Sequence, residues 1–267
     1  PPVIVPVLES ITAPGDTLVA DARGKMLFRV TADGTTSVLG KDLTGISRIV
    51  DSRQLGPHAL VGDQKSSRVL RFTDTGMQQT VIHFAFRATG LAVDPENNLI
   101  TSGGKSGVVY HVDDEKTLSQ LVQLSEPVVD LATDRLGNVI VLLKSGKVVS
   151  VTSQDNSTPI GFLPPGTTRI KIHPDNYPVG LTPAEQRPTL NRLNKTSTPR
   201  QFAGTAMGTS AFAFDGLGNF VLTNPDLRAV TRVKSRFVVN CSHPDCDQKV
   251  HMILTPNAVP KHRQRSF

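Results

Sequence analysis

Short apolar stretches separated by turn residues recur along the whole chain. Three segments, beginning at Gly90, Asp130 and Ala211, combine a short alternating strand, an Asp, a Gly- or Asn-containing turn and a second apolar strand. This combination is typical of a β-hairpin. Less regular versions of the same turn occur at Asp51 and His173. The pattern therefore predicts hairpins throughout the chain.

A third strand follows each hairpin and sets the period of the repeat. Its third residue is the anchor of each unit, and the anchors are Val30, Phe72, Val112, Val151, Leu193 and Val233. These anchors recur every 39 to 42 residues. A less regular fourth strand fits the remaining length of each unit, and no stretch has a convincing helical period. The sequence predicts an all-β fold, a six-bladed β-propeller of four-stranded blades with about 40 residues per repeat.

The repeat ends before the chain does. We predict a propeller over residues 1–240 and a basic appendage over 241–267. Two segments could supply the last strand of the sixth blade: the Phe237-Val-Val stretch, or the Val3-Ile-Val stretch, which would close the ring. The appendage contains several prolines and one short apolar strand. We expect it to dock the propeller to something else, with a flexible terminus as the alternative.

Two repeated elements resemble those of a known family. The Val19-Ala-Asp element with its following Phe-Arg-Val strand, and the hairpin that starts at Leu91, resemble NHL-repeat propellers and, more distantly, the SMP-30/gluconolactonase superfamily. The resemblance covers roughly residues 5–240 and implies six blades. It also implies two functions: NHL-like propellers mostly bind proteins or RNA on one face, whereas gluconolactonase-like propellers hydrolyse lactones with a divalent metal in the central channel.

Composition and motifs narrow the function only slightly. A hydrophobic fraction of 38% and a charged fraction of 19% are those of a folded globular chain. No Gly-x-Ser-x-Gly, His-Glu-x₂-His or phosphate-loop motif occurs, so nothing in the sequence demands catalysis. The favoured prediction is a non-catalytic, protein-binding scaffold in a larger multiprotein complex. The alternatives are a metal-dependent, lactonase-type hydrolase and binding of RNA or another polyanion.

One set of polar residues could carry metal chemistry in the hydrolase alternative. Each member ends the first strand of its unit: Glu9, Asp51, Asp94, Asp134, His173 and Asp215. Converging carboxylates could hold Ca²⁺, although an Asp before a Gly/Asn turn is more often a cap for backbone N–H groups. The resemblance implies a Glu ligand in the first blade, a position that Glu9 matches. We expect no cofactor, with Ca²⁺ as the alternative.

Positive charge is concentrated at the C-terminal end. The chain carries a net charge of +6, whereas residues 1–226 are neutral overall. The candidate contacts with an acidic partner are Arg228, Arg232, Lys234, Arg236, Lys261, Arg263 and Arg265. Nucleic acid is the less favoured partner, because Trp is absent and only two Tyr could stack on bases.

The two cysteines bear on the compartment. Cys241 and Cys246 are close enough for a small disulfide loop, while free thiols and a zinc site with His243 and His251 are the alternatives. The chain begins with Pro-Pro rather than Met, which a removed signal peptide or a trimmed chain would explain. We expect a secreted, periplasmic or organelle-lumen protein, with the cytoplasm as the alternative.

Overall fold

The computed structural model describes most of the repeat region and one later strand. The described residues are 8–10, 17–21, 25–31, 33–52, 56–62, 65–73, 76–113, 116–184, 188–193, 200–205, 208–214, 218–224, 229–238 and 251–257. Within these ranges, regular structure is β apart from one 3₁₀ turn at Gly104–Ser106. No helix in this part of the chain is long and apolar enough to cross a bilayer.

The strands form four-stranded antiparallel sheets in chain order. Sheet 1 contains β1 (Leu8–Ser10), β2 (Thr17–Asp21), β3 (Met26–Val30) and β4 (Thr36–Gly40). Sheet 2 contains β5 (Arg48–Ser52), β6 (Gly56–Gly62), β7 (Ser67–Phe72) and β8 (Gln78–Phe84). Sheet 3 contains β9 (Leu91–Val93), β10 (Leu99–Ser102), β11 (Val108–Val112) and β12 (Leu118–Gln123).

The second half of the chain repeats this order. Sheet 4 contains β13 (Val128–Thr133), β14 (Val139–Leu143), β15 (Lys147–Ser153) and β16 (Asn156–Phe162). Sheet 5 contains β17 (Arg169–Ile172), β18 (Pro178–Thr182), β19 (Thr189–Arg192) and β20 (Arg200–Gly204). Sheet 6 contains β21 (Ala211–Phe214), β22 (Phe220–Asn224), β23 (Ala229–Val238) and β24 (His251–Asn257).

The period read from the sequence matches these sheets. Each anchor except Leu193 lies in the third strand of its sheet, and Leu193 directly follows β19. The prediction of an all-β fold made of four-stranded units is therefore confirmed. Strand β14 shows why polar and apolar residues need not alternate: all five of its residues are buried, because both faces of the sheet pack on neighbours.

The fourth strand of sheet 6 comes from a segment that the sequence assigned elsewhere. Strand β24 pairs with β23 over Arg232–Val238, and Phe237 belongs to β23, the third strand. The alternative, Val3-Ile-Val, lies outside the described residues. A long β23 needs a partner along its whole edge, which a strand at 251–257 provides. The division at residue 240 remains a prediction, but this strand of the tail belongs to sheet 6.

The first strands of the sheets are neighbours of one another. Each of β1, β5, β9, β13 and β17 contacts the first strand of the next sheet, and β21 contacts β1. Apolar side chains fill the space between successive sheets, as where Ile140 and Leu142 of β14 share a cluster with Ile170 of β17. First strands on the inside and sheets packed face to face are the arrangement of a β-propeller.

Candidate functional site

Two of the predicted metal ligands cap the turns that follow them. The Asp134 carboxylate accepts hydrogen bonds from the backbone N–H groups of Leu136 and Asn138, both at 2.9 Å, and from Asn138 Nδ2. Asp94 accepts the backbone N–H of Asn98 at 2.8 Å and its Nδ2 at 3.0 Å. Because each carboxylate oxygen already accepts a hydrogen bond, these side chains stabilise the hairpin turns.

In sheet 5, His173 occupies the position of these aspartates and caps the turn that follows it. Its Nδ1 accepts the backbone N–H of Asp175 at 3.0 Å, as a carboxylate oxygen would. The ring is buried, stacks on Tyr177 with centroids 4.3 Å apart and meets Phe214 edge-on at 4.8 Å. Burial is the main reason that the pKa of His173 lies below its usual value, so the imidazole is neutral at pH 7.

Asp51 does not share this position. In β5 the strand register places Ser52, rather than Asp51, where Asp94 and Asp134 stand: Ser52 pairs with Gly56 across the hairpin, and Asp51 pairs with Pro57. Ser52 Oγ donates a hydrogen bond to Asn97 Oδ1 at 2.7 Å, which links sheets 2 and 3. Glu9 lies in β1 with its side chain outside the described part, and Asp215 is outside the described residues.

The described part of this rim does not fit a divalent cation. Ca²⁺ takes six to eight oxygen ligands. Asp94 and Asp134 direct their oxygens to turn N–H groups. Among the described residues, no three His, Cys, Asp or Glu side chains come together in a way that could hold a metal. The predicted ligand set as a whole remains a prediction.

A different set of charges lies at the opposite end of the first strands. Arg48 of β5 and Asp130 of β13 form an ion pair, with Arg48 Nε 2.6 Å from Asp130 Oδ1. The Arg48 side chain is partly buried, with 11% exposure, and the Asp130 side chain is buried, with 4%. Sheet 3 lies between sheets 2 and 4. The ion pair therefore spans the first strand of sheet 3 on the inner side of the sheets.

Strand register puts these charges in one layer. Arg48, Asp130 and Arg169 pair with Leu60, Leu142 and Leu181, the corresponding positions of the second strands. Each lies four residues before the turn position held by Ser52, Asp134 or His173. Sheet 3 has Gly90 at this level, one residue before the pair Leu91 and Thr101, and Ser102 Oγ would lie 3.1 Å from a Cβ atom at Gly90. We call Arg48, Asp130 and Arg169 the charged layer.

Arg169 differs from its neighbours in the charged layer. It is partly buried, and within the described part of the chain its one hydrogen bond runs from Nη1 to the Thr168 carbonyl oxygen at a long 3.4 Å. Burial, assisted by the positive charge of Arg48 and opposed by Asp130, lowers the pKa of Arg169 to about 10. The guanidinium thus stays charged at pH 7, and two cations share one carboxylate.

The sequence analysis missed the charged layer, although a local signal exists. Each member stands directly before a buried apolar residue: Ile49, Leu131 or Ile170. A charge at the start of an inner strand, always four residues before the turn, is unusual enough to notice once the repeat is aligned. Only the tertiary structure shows that the three side chains lie in one layer.

A separate cavity of about 180 Å³ opens between sheets 2 and 3. Its polar lining includes His58, Arg71 and Asn97. His58 Nδ1 lies 2.9 Å from the Gly56 carbonyl oxygen, Arg71 donates to Gln79, and Asn97 accepts from Ser52. Burial lowers the pKa of His58 to about 4. Of these three contacts, the Ser52–Asn97 hydrogen bond joins the two sheets, and the other two lie within sheet 2.

The predicted C-terminal contacts are mostly outside the described residues. Arg232, Lys234 and Arg236 belong to β23, and the side chains of Lys234 and Arg236 are not in the described part. The other predicted basic contacts and both cysteines lie outside it: Arg228, Lys261, Arg263, Arg265, Cys241 and Cys246. A partner surface and a disulfide at this end remain predictions.

Comparison with known proteins supports the propeller. No protein-family model matches the chain, and no curated protein matches its sequence. A gluconolactonase from Xanthomonas campestris has 12% identity and a TM-score of 0.68, with 82% of each chain covered. Virginiamycin B lyase from Staphylococcus aureus has 12% identity and a TM-score of 0.62, covering 88% of this chain and 82% of that one. A luciferin-regenerating enzyme has 13% identity and a TM-score of 0.60, with 85% of each covered. At these identities the likeness shows the fold alone.

These comparisons contradict the prediction of a non-catalytic scaffold. The three solved structures named above are enzymes, which favours the lactonase-type alternative and corrects the expectation that the chain has no catalytic role. The sequence argument failed because it took the absence of local motifs as evidence. Residues that come from different sheets of this repeat stand some 40 residues apart, so a site built from them would form no short motif.

Proposed function

We propose that the chain is a six-bladed β-propeller enzyme of the lactonase type. It hydrolyses a small lactone, which binds at the charged layer, at one end of the first strands. Six sheets, and the contact between β21 and β1, support a ring of six blades. The likeness to a gluconolactonase supports the SMP-30/gluconolactonase side of the resemblance over the NHL side.

The charged layer is the observation that carries this proposal. Buried charges cost free energy unless they are paired, and unpaired ones gather where a protein binds or transforms a ligand. Two guanidinium groups and one carboxylate from three different sheets lie in one layer at one end of the first strands. Guanidinium N–H groups suit the oxygen atoms of a sugar lactone and of the hydroxy acid that hydrolysis produces.

The resemblance also implies a divalent metal, and the described residues give no support for one in the charged layer. Asp130 Oδ1 accepts from Arg48, and its Oδ2 accepts the backbone N–H of Ile170 at 3.0 Å. Two positive guanidinium groups beside this single carboxylate would repel a cation. The residues of this layer therefore bind and orient the substrate, and Ca²⁺ stays an alternative for the assay to decide.

Hydrolysis of lactones by the purified full chain tests the proposal. Proton release from glucono-δ-lactone and from a glucaric acid lactone would be followed at constant pH, in chelator and with added Ca²⁺ or Mg²⁺. We expect saturable turnover above the rate in buffer. Arg169→Gln should lower kcat/KM roughly tenfold or more, whereas Arg135→Gln, at an exposed arginine of the opposite rim, should not. No turnover of either lactone in any condition would refute the proposal.

A further inference from the structure

We propose that Arg169 binds a carboxylate group of the ligand, so that the substrate is a lactone of a sugar acid which already carries a negative charge. The claim that the substrate is a sugar lactone rests on the proposed function. The claim that the ligand carries a negative charge rests on the geometry of the charged layer alone.

The other two members of the charged layer make several short hydrogen bonds to each other and to the backbone, and Arg48 uses three of its five N–H donors. Arg48 donates through Nε to Asp130, through Nη1 to the Ser47 carbonyl oxygen at 2.7 Å and through Nη2 to the Val129 carbonyl oxygen at 3.0 Å. Asp130 accepts from Arg48 with one oxygen and from the Ile170 backbone with the other. This pair therefore forms a fixed structural contact between sheets 2, 4 and 5.

Arg169 is the arginine of the layer with the most unused donors. A guanidinium carries five N–H donors, and the structure gives Arg169 one long hydrogen bond within the described residues. Its partial exposure leaves it open to a ligand from the inner side, although protein surrounds most of it. Since Asp130 directs its oxygens to Arg48 and Ile170, the charge of Arg169 has no hydrogen-bonded counter-ion in the described part of the chain.

Charge balance and geometry point to a carboxylate. The charged layer carries two positive charges and one negative charge, so a single negative charge neutralises it. The two oxygens of a carboxylate match the parallel N–H groups of a guanidinium, which gives a bidentate pair. A neutral lactone would leave the charge of Arg169 unbalanced in the complex. A phosphate dianion would bring two negative charges, which is one more than neutralises the layer.

Calorimetric titration of the full chain at low salt tests this assignment with two matched probes. D-glucuronate carries the carboxylate, and D-glucuronamide has the same sugar skeleton with a neutral amide in its place. We expect wild type to bind the glucuronate roughly 10- to 100-fold more tightly. Arg169→Gln should remove this preference, and Arg135→Gln should keep it.

Several outcomes would overturn the assignment. Equal affinity of wild type for the two probes would refute it without any variant, so the test does not depend on how Arg169→Gln folds. Tighter binding of glucose 6-phosphate than of glucuronate would assign the site to phosphate instead. Lactone turnover without a preference for glucuronate would leave the proposed function intact and refute the carboxylate. A preference for glucuronate without lactone turnover would support the carboxylate assignment and refute the proposed function.

Discussion

At the scale of single residues, the inner strands use charged side chains for two different purposes. Asp94 and Asp134 cap turns, as aspartates before Gly/Asn turns commonly do. Asp130 stabilises contacts between sheets that are far apart in sequence, because one oxygen meets Arg48 and the other meets the Ile170 backbone. Arg169 contributes little to such contacts, since it makes one long hydrogen bond within the described residues. Its charge has no hydrogen-bonded counter-ion in that part of the chain, so it is available to a ligand.

Removing Asp130 should cost far more stability than removing a turn cap. Asp130→Ala would leave the partly buried Arg48 guanidinium and the Ile170 N–H without their acceptor, which predicts a loss of about 3 kcal/mol in the free energy of unfolding. Asp113→Ala is the control, since Asp113 caps an exposed turn through the Thr117 N–H and should cost about 1 kcal/mol. Urea denaturation measures both. Similar losses would mean that Arg48 is not held by this ion pair.

At the scale of strands and sheets, close packing between neighbouring first strands sets which residues fit. Gly90 precedes β9 at the level of the charged layer. A Cβ atom there would lie 2.6 Å from Leu131 Cγ and 2.9 Å from its Cδ2. Sheets 3 and 4 therefore approach each other closely at this point, and β9 contacts β13. A glycine at this position serves packing, since a larger side chain has no space.

Gly90→Ala should destabilise the protein through this contact. Overpacking of a tight core typically costs about 1–3 kcal/mol. Thermal or urea unfolding of the single variants Gly90→Ala and Leu131→Ala, and of the double variant, measures the effect. If the added methyl group clashes with the Leu131 side chain, the double variant will lose less unfolding free energy than the two single variants together. Strict additivity would place the strain elsewhere.

At the scale of the whole molecule, the last sheet depends on a segment beyond the six repeats. Strand β24 pairs with the outer edge of β23 over seven residues, so sheet 6 has the same number of strands as the others. An unpaired β23 would present a long open edge, which favours aggregation. This gives part of the C-terminal segment a structural role.

Truncation should separate the role of β24 from that of the residues after it. Ending the chain after residue 250 removes β24 and should lower the melting temperature by roughly 4 °C or more, with more aggregation. Ending it after residue 257 keeps β24 and serves as the matched control, for which we expect a melting temperature near that of the full chain. Scanning calorimetry and light scattering measure both. Equal stability of the two truncated chains would contradict the structural role.

Much of the fold could be predicted because its information is local. A hairpin depends on alternating apolar residues, a turn residue of the right backbone conformation and a third strand at a constant distance, all within about 40 residues. The anchors from Val30 to Val233 therefore gave the correct third strands. Errors arose where the local signal was ambiguous: a one-residue difference in register put Ser52 in the place expected for Asp51, and β24 lay outside the period.

The sequence by itself determined the all-β class, the repeat and the turns, because these follow from contacts between residues near one another in the chain. Only the tertiary structure decided which charges meet. Arg48 and Asp130 are 82 positions apart, and their contact exists because sheets 2 and 4 face the same interior. The capping role of Asp94 and Asp134, and the spare donors of Arg169, likewise depend on which atoms are already hydrogen-bonded. A one-dimensional pattern contains no such information, since it records residue types and not their partners.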